Sequence, residues 1–128
     1  MNPIVEEWIK KAEGDWQTAN RELRARKKPN YDAACFHCQQ CAEKYLKAYL
    51  QFQKKRFKKI HDLIDLMKLC SSIDAAFEFH YDAFSLLNQY AVDFRYPGEE
   101  ADKEQAKRAV RSLKVFRKFV RDILKLND

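Results

Sequence analysis

The chain has 128 residues, a formal net charge of +6 and 46% hydrophobic residues, which suits one domain over residues 1–128 with a packed core. Only two glycines and three prolines interrupt it, so the frequent turns of a strand-rich fold are excluded and long helices are favoured. No apolar run approaches the roughly 18 residues of a membrane span, and the first residues do not read as a signal peptide. Four cysteines without such a signal favour a reducing compartment, so we expect a cytoplasmic protein.

The first predicted helix begins at Asn2, whose side chain can accept hydrogen bonds from free N–H groups, with Pro3 at the first helical position. Spacings of three and four residues then mark one apolar face. Its members are Trp8, Ala12, Trp16 (or Asp15), Ala19 and Leu23. Residues 24–30 interrupt this pattern, and Pro29 ends it.

The second predicted helix runs from about Asn30 to Lys54. At 100° per residue, one of its sides is apolar. That side carries Ala34, Cys38, Cys41, Tyr45, Ala48, Tyr49 and Phe52. The polar residues fall on the other side, which we expect to face outward. They are Gln40, Glu43, Lys44, Lys47 and Gln51.

Two overlapping C-x-x-C spacings occur in this helix, at Cys35, Cys38 and Cys41. They raise the possibility of a zinc site, but zinc requires four converging ligands and a straight helix supplies at most two. Free cysteine in a core behaves as a small hydrophobe. We therefore favour cysteines packed inward and expect neither a metal nor another cofactor.

A basic connector, Lys54 to Lys59, leads to a short predicted helix from about Ile60 to Cys70. The apolar positions of that helix are Leu63, Leu66, Met67 and Cys70. A fourth helix is predicted from caps at residues 71–74 to about Phe94, before Pro97 and Gly98. Its predicted buried side carries Ile73, Ala76, Phe77, His80, Phe84, Leu87, Ala91 and Phe94.

The fifth predicted helix runs from about Glu100 to Lys125. Its inner stripe is Ala106, Ala109, Leu113, Phe116, Val120 and Ile123. Cations recur on the opposite side at intervals of three and four. This basic ridge is Lys103, Lys107, Arg111, Lys114, Lys118, Arg121 and Lys125. A phosphate backbone would favour such a ridge, although a solvated helix face gives the same pattern.

Four long helices and one short helix joined by brief connectors predict an all-α, up-and-down antiparallel bundle. In such a bundle, the basic clusters at residues 24–28 and 54–59 lie at opposite ends and do not form one patch.

Several short motifs follow one another along nearly the whole chain. They are Trp8; Ala12-Glu13-x-Asp15; Phe36-His37-x-Gln39-Gln40-x-x-Glu43-Lys44-x-Leu46-Lys47-Ala48; His61-Asp62-Leu63; and Asp93-x-Arg95-Tyr96-Pro97. In this order and with these gaps, the motifs resemble the HEPN family, the higher eukaryote and prokaryote nucleotide-binding domain. The block on the second helix is the specific part of that resemblance.

The resemblance implies a helical bundle, commonly a homodimer, that binds nucleotide or RNA. Such proteins are often encoded beside a minimal nucleotidyltransferase as toxin and antitoxin. The polar set carried over by the motifs is His37, Gln40, Glu43, Lys44, Lys47, His61, Arg95 and Tyr96. In this set Lys44, Lys47 and Arg95 are expected to contact phosphate, and Tyr96 is expected to stack on a base or hydrogen-bond to it. In an alternative interpretation, Glu43, Lys47 and Arg95 form an ion-pair network that fixes the second helix against the end of the fourth.

Many members of the family are metal-independent ribonucleases with an Arg-x(4–6)-His motif near the last helix. No histidine follows Arg95, and the one formal match, Arg56 to His61, lies in the connector after the second helix. We therefore assign no catalytic residues and leave open whether the protein is an enzyme. Three hypotheses remain: a nucleotide- or RNA-binding partner of a nucleotidyltransferase, a ribonuclease with an atypical site, and a purely structural interaction module.

Overall fold

The computed structural model describes residues 1–92 and 96–126, and every regular element within those ranges is helical. The α-helices are α1 (Pro3–Arg24), α2 (Tyr31–Phe52), α3 (Leu63–Ser71), α4 (Tyr81–Asn88) and α5 (Lys103–Ile123). A 3-10 helix, Ala75–His80, precedes α4. The predicted all-helical fold is confirmed, while the positions predicted for Phe94 and Arg95 lie outside the described residues.

The helix starts follow from local capping chemistry. The Asn2 side chain accepts from the backbone of α1, as predicted, and the Asn30 side chain accepts in the same way from the backbone of α2. Asp102 and Gln105 form a reciprocal capping box at the start of α5. Asp62 accepts two backbone N–H groups of α3, so that helix begins after Asp62 and His61 remains in the connector.

The predicted fourth long helix is shorter than expected. It consists of the 3-10 helix followed by α4, and it ends at Asn88 rather than near Phe94. The Asn88 amide bonds both the Asp62 carboxylate and a backbone N–H of α3, each at 2.9 Å, which ties the end of α4 to the start of α3. Because α-helical periodicity does not extend over the whole segment, Ile73 and Ala91 are exposed, contrary to the prediction.

Helix α2 occupies the centre of the fold and contacts α1, α3, α4 and α5. Thirteen of its 22 residues are buried, against four of 22 in α1, so α2 is covered on more than one side. Its predicted apolar positions are buried except Phe52, which is 39% exposed near the helix end. The outward orientation predicted for Glu43 and Lys47 is wrong: each is only 6% exposed, because neighbouring elements also cover the polar side of α2.

The remaining core closes through aromatic contacts between α2, the 3-10 helix, α4 and α5. Phe77 packs against Tyr49 with ring centroids 4.6 Å apart, and Phe84 lies 4.8 Å from Phe116. His80 lies 4.4 Å from the ring of Phe119, and burial lowers the pKa of its imidazole. His80 is thus a packing residue.

Helix α1 runs antiparallel to both α2 and α5. Glu22, late in α1, accepts from the backbone of Asn30 at the start of α2. Glu13, nearer the middle of α1, pairs with Arg117 in the second half of α5.

Across residues 1–92 and 96–126, none of the helices combines the length and apolarity that crossing a membrane would require.

Candidate functional site

A buried carboxylate, Glu43, lies at the centre of the polar side of α2. Its Oε2 accepts from Lys47 Nζ at 2.8 Å and lies 2.9 Å from His61 Nδ1. Its Oε1 accepts from Gln39 Nε2 at 3.2 Å. These four residues, Gln39, Glu43, Lys47 and His61, are called the Glu43 cluster below.

The ionised state of Glu43 fixes the tautomer of His61. Burial alone would raise the pKa of the Glu43 carboxyl, but hydrogen bonds from Lys47, His61 and Gln39 outweigh that effect and lower it. Because an ionised carboxylate only accepts hydrogen bonds, His61 Nδ1 carries the proton. The Nε2 atom of His61 is then left for another partner, on a side chain that is 72% exposed.

Lys47 is more buried than the sequence suggested, and its contact with phosphate stays a prediction. Its side chain is 7% exposed, and its Nζ lies both against Glu43 and 5.5 Å from the ring centroid of Trp8 on α1. The ammonium is therefore held between a carboxylate and an indole. It is the counter-charge of Glu43, and it links α2 to α1 through Trp8.

A second buried carboxylate, Asp15 on α1, lies against the same side of α2. Its Oδ1 lies 2.7 Å from His37 Nδ1, and its Oδ2 accepts from Lys44 Nζ at 2.6 Å. The Asp15 side chain is 9% exposed, whereas those of His37 and Lys44 are 28% and 23% exposed. As at Glu43, the carboxylate is covered and its histidine partner reaches the surface. The lysine partner of Asp15 reaches the surface too, whereas Lys47 beside Glu43 is buried.

A glutamine pair extends the Glu43 cluster along the same side of α2. Gln40 Nε2 donates to Gln39 Oε1 at 2.6 Å, and Gln39 also reaches the backbone oxygen of His61 at 3.4 Å. Six of the predicted residues thus lie on one surface, called the α2 site below. They are His37, Gln40, Glu43, Lys44, Lys47 and His61. When both histidines are neutral, the two lysines balance Asp15 and Glu43, so protonated histidines would make the surface cationic.

The other two predicted residues follow α4. Arg95 lies outside the described residues, so its phosphate contact stays a prediction. Tyr96 is 63% exposed, and its backbone oxygen accepts from Glu99. The ion pair between Glu43 and Lys47 that the alternative interpretation required is present.

Sequence reasoning missed Asp15 and Gln39 as parts of the site. Both belong to the family motifs, but they were not carried into the polar set. A signal for Asp15 was available, because this acid lies on the apolar stripe of α1 between Ala12 and Ala19. A charge on a buried face needs partners from another element.

A third acid, Glu13, is the centre of a separate cluster joining α1, α2 and α5. Arg117 binds Glu13 through Nε at 2.9 Å and Nη2 at 2.6 Å, and the Tyr45 hydroxyl donates to the same carboxylate. Arg121 Nη1 donates to the Tyr45 oxygen at 2.9 Å. Glu13, Tyr45, Arg117 and Arg121 are called the Glu13 cluster. Burial opposes ionisation of Glu13, but the hydrogen bonds from Arg117 and Tyr45 lower its pKa overall.

The four cysteines are buried, which confirms the core interpretation. Burial raises the pKa of the Cys38 and Cys41 thiols, and that of Cys70 to about 12. A metal ligand would have to be the thiolate, which this environment disfavours. Within the described ranges, no three His, Cys, Asp or Glu side chains are grouped so as to hold a metal ion.

The helical fold and a comparison with known families define the class of protein. The sequence model of the HEPN domain matches residues 5–123, which is most of the chain. The chain belongs to the HEPN domain family, and the resemblance inferred from its motifs is confirmed.

Two crystal structures share the fold. The archaeal HEPN homologue ST0689 is 27% identical with a TM-score of 0.71, over 92% of this chain and 95% of that one. TT1696 from Thermus thermophilus is 25% identical with a TM-score of 0.74, over 92% of this chain and 96% of that one. No curated protein sequence gives a significant match.

Proposed function

We propose that this HEPN protein binds a nucleotide or RNA through the α2 site. The observation that carries this proposal is the pairing of two buried carboxylates with partners that reach the surface. Asp15 holds His37 and Lys44, and Glu43 holds His61. Each carboxylate fixes one ring nitrogen, so the other nitrogen points away from the acid. It can accept a hydrogen bond from a base or, on the doubly protonated ring, donate one to a phosphate.

The physical advantage of this arrangement is preorganisation. A lysine and two rings already held by hydrogen bonds lose less conformational freedom on binding than free surface side chains. The compensating carboxylates are covered, so an incoming phosphate would meet the exposed nitrogen atoms first. Polar contacts of this kind confer specificity when their geometry is fixed before the ligand arrives.

Binding of ATP and of a short single-stranded RNA, measured by calorimetry, tests the proposal. We expect His61→Asn and Lys44→Gln to weaken binding of the preferred ligand at least fivefold, because each removes a group that reaches the surface. Lys68→Gln, on the exposed side of α3, is the matched control. Equal affinity of wild type and both α2-site variants would reject the assignment of the site.

The same family membership supports a cytoplasmic homodimer that acts with a minimal nucleotidyltransferase in a toxin–antitoxin-like pair. A reading frame for such an enzyme beside the gene, followed by co-purification of the two proteins, tests the pairing. Stable association with a partner but no nucleotide or RNA binding would instead favour the purely structural interaction module. Sedimentation of the purified protein tests the dimer.

A second function, metal-independent cleavage of RNA, is favoured by one specific contact. The 2.9 Å contact between Glu43 and His61 Nδ1 resembles the carboxylate–imidazole pairs that activate a general base, and His61 is 72% exposed. His61 Nε2 would take the proton of a 2′-hydroxyl, whose oxygen then displaces the 5′-oxygen at phosphorus. The departing 5′-oxygen takes a proton from water, and the products are a 2′,3′-cyclic phosphate and a 5′-hydroxyl. RNA cleavage that survives EDTA and is lost in His61→Ala supports this function, and uncut RNA at high protein concentration excludes it.

A further inference from the structure

A strongly basic surface lies on the other side of α1 from Asp15, where the second half of α1 meets the first half of α5. Three adjoining grooves of about 670, 340 and 510 Å³ follow this junction. Seven exposed cations line them, with no acidic residue among the lining residues that the structure describes. This basic seam is formed by Arg21, Arg24, Arg26, Lys103, Lys107, Arg111 and Lys114.

The three grooves form one surface, because they share lining residues. Trp16 and Asn20 line both the first groove and the second. Leu23 and Lys107 line both the second and the third. The surface is therefore continuous from the middle of α1 to the start of α5.

The seam differs from the basic ridge that was predicted on α5. Four of the seven ridge cations line it, but Arg121 turns inward to Tyr45 and its side chain is only 11% exposed. The cluster at residues 24–28 supplies Arg24 and Arg26 instead, because antiparallel packing brings the end of α1 to the start of α5. Periodicity along a single helix could not predict this combination.

The charge of the seam is poorly compensated. In the described part of the chain, the seam makes one ion pair, between Lys107 and Glu104, with 3.6 Å between the charged atoms. The two side chains are 45% and 75% exposed. Such an exposed pair contributes little and is easily exchanged for another anion. The seam therefore concentrates positive potential that the fold does not use internally.

The shape of the seam favours an extended polyanion. From Lys103 to Lys114 the α5 cations span about 16 Å at 1.5 Å per residue, more than one phosphate group occupies. Two aromatic side chains lie beside them, Trp16 in the first two grooves and Tyr31 in the third. The guanidinium carbon of Arg117 lies 4.9 Å from the ring centroid of Trp16. A basic groove with aromatic side chains beside it is typical of surfaces that bind single-stranded nucleic acid.

We propose that the basic seam is a second binding surface, which holds the sugar–phosphate backbone of single-stranded RNA separately from the α2 site. The inference rests on the seam alone and does not require the function proposed for the α2 site. Its cations follow the backbone, and Trp16 or Tyr31 contacts bases without selecting a sequence. Binding therefore depends mainly on phosphate contacts and on salt.

Fluorescence anisotropy with a labelled oligouridine of about 20 nucleotides tests the seam. The variant Lys107→Ala/Arg111→Ala removes two of its cations, and Lys10→Ala/Lys68→Ala removes two exposed cations elsewhere. We expect the seam variant to bind at least tenfold more weakly. The slope of log affinity against log salt should fall by about 1.4, because each single-strand phosphate contact contributes about 0.7. The control should retain affinity and slope.

Two results would overturn the inference: equal losses in both double variants, or tighter binding to phosphatidylserine vesicles than to the oligouridine. Calorimetry with ATP separates the seam from the α2 site. Lys44→Gln should retain the full salt slope with oligouridine even if it binds ATP poorly, and the seam variant should bind ATP like wild type. Absence of ATP binding would therefore count against the α2 site alone.

Discussion

The Glu13 and Glu43 clusters are alike in chemistry and differ in what they leave open. In each, a carboxylate with a lowered pKa is held by two basic side chains and one further hydrogen-bond donor. Arg117 and Arg121 of the Glu13 cluster are 19% and 11% exposed. His61 of the Glu43 cluster is 72% exposed.

This difference separates an ion pair that joins helices from one that presents a functional group. Arg117 comes from the rigid helix α5 and binds Glu13 through two nitrogens. His61 comes from the connector before α3 and makes one bond to Glu43, which leaves a ring nitrogen outward. A lowered pKa alone does not identify a binding site; the exposure of the partner does.

Loss of Arg117 should have the largest effect on stability. We expect Arg117→Ala to lower the free energy of unfolding by about 2–3 kcal/mol, because it leaves Glu13 partly buried without its bidentate partner. The value is at the low end for a buried pair, since Glu13 is 24% exposed. Urea denaturation followed by circular dichroism measures it. Lys118→Ala, in a pair at 3.8 Å with both side chains over half exposed, is the control and should change little.

Neutralising Glu43 should affect stability and binding together. Glu43→Gln leaves Lys47, which is 7% exposed, without its counter-charge, and we expect a loss of about 1–2 kcal/mol. The amide no longer fixes the His61 tautomer, so ligand affinity should also fall at least fivefold. Urea denaturation and calorimetry measure the two effects. If a folded Glu43→Gln protein binds the ligand as tightly as wild type, the Glu43 cluster has only a structural role, like the Glu13 cluster.

Acid should reduce the stabilisation that both clusters give to the folded state. The folded-state pKa values of Glu13 and Glu43 are below the ordinary 4.5, so their stabilisation is complete above that pH. It is lost as the pH falls below 4.5 through the folded-state values, because the unfolded chain then binds more protons. Urea midpoints measured from pH 6 to pH 3 should fall, and less steeply in Glu13→Gln and in Glu43→Gln. Curves parallel to wild type would contradict the lowered pKa values.

The smallest effect on stability is expected for His61→Asn. Its side chain is mostly exposed, so the free energy of unfolding should stay within about 0.5 kcal/mol of wild type. The same substitution should cost the α2 site at least fivefold in ligand affinity. A large loss of stability without a loss of ligand binding would show that His61 joins structural elements and does not present a binding group.

Much of the fold could be predicted from sequence because its signals are local. The Asn2 cap placed the start of α1, and the break ending at Pro29 placed the start of α2 near Asn30. The inner stripe of α5 also followed its periodicity. Helix α4 was predicted too long, because hydrogen bonds from Asn88 to the start of α3 depend on two elements meeting in space.

The candidate site divides in the same way. Motifs identified six residues that the structure brings together, from His37 to His61. The burial of Glu43 and Lys47 was missed, since a helical wheel assumes one covered face and α2 is surrounded by other helices. The Glu13 cluster was missed because Glu13 and Arg117 are 104 positions apart.

The sequence by itself determined the helices, the family and the residue types of the α2 site, because capping, periodicity and motif spacing act over a few neighbouring positions. The tertiary structure alone decided which charges are covered and which reach solvent. It holds Glu43 beneath an exposed His61, and it joins the end of α1 to the start of α5 as one basic seam. Those outcomes depend on which helices pack together, and packing pairs residues that are far apart in the chain.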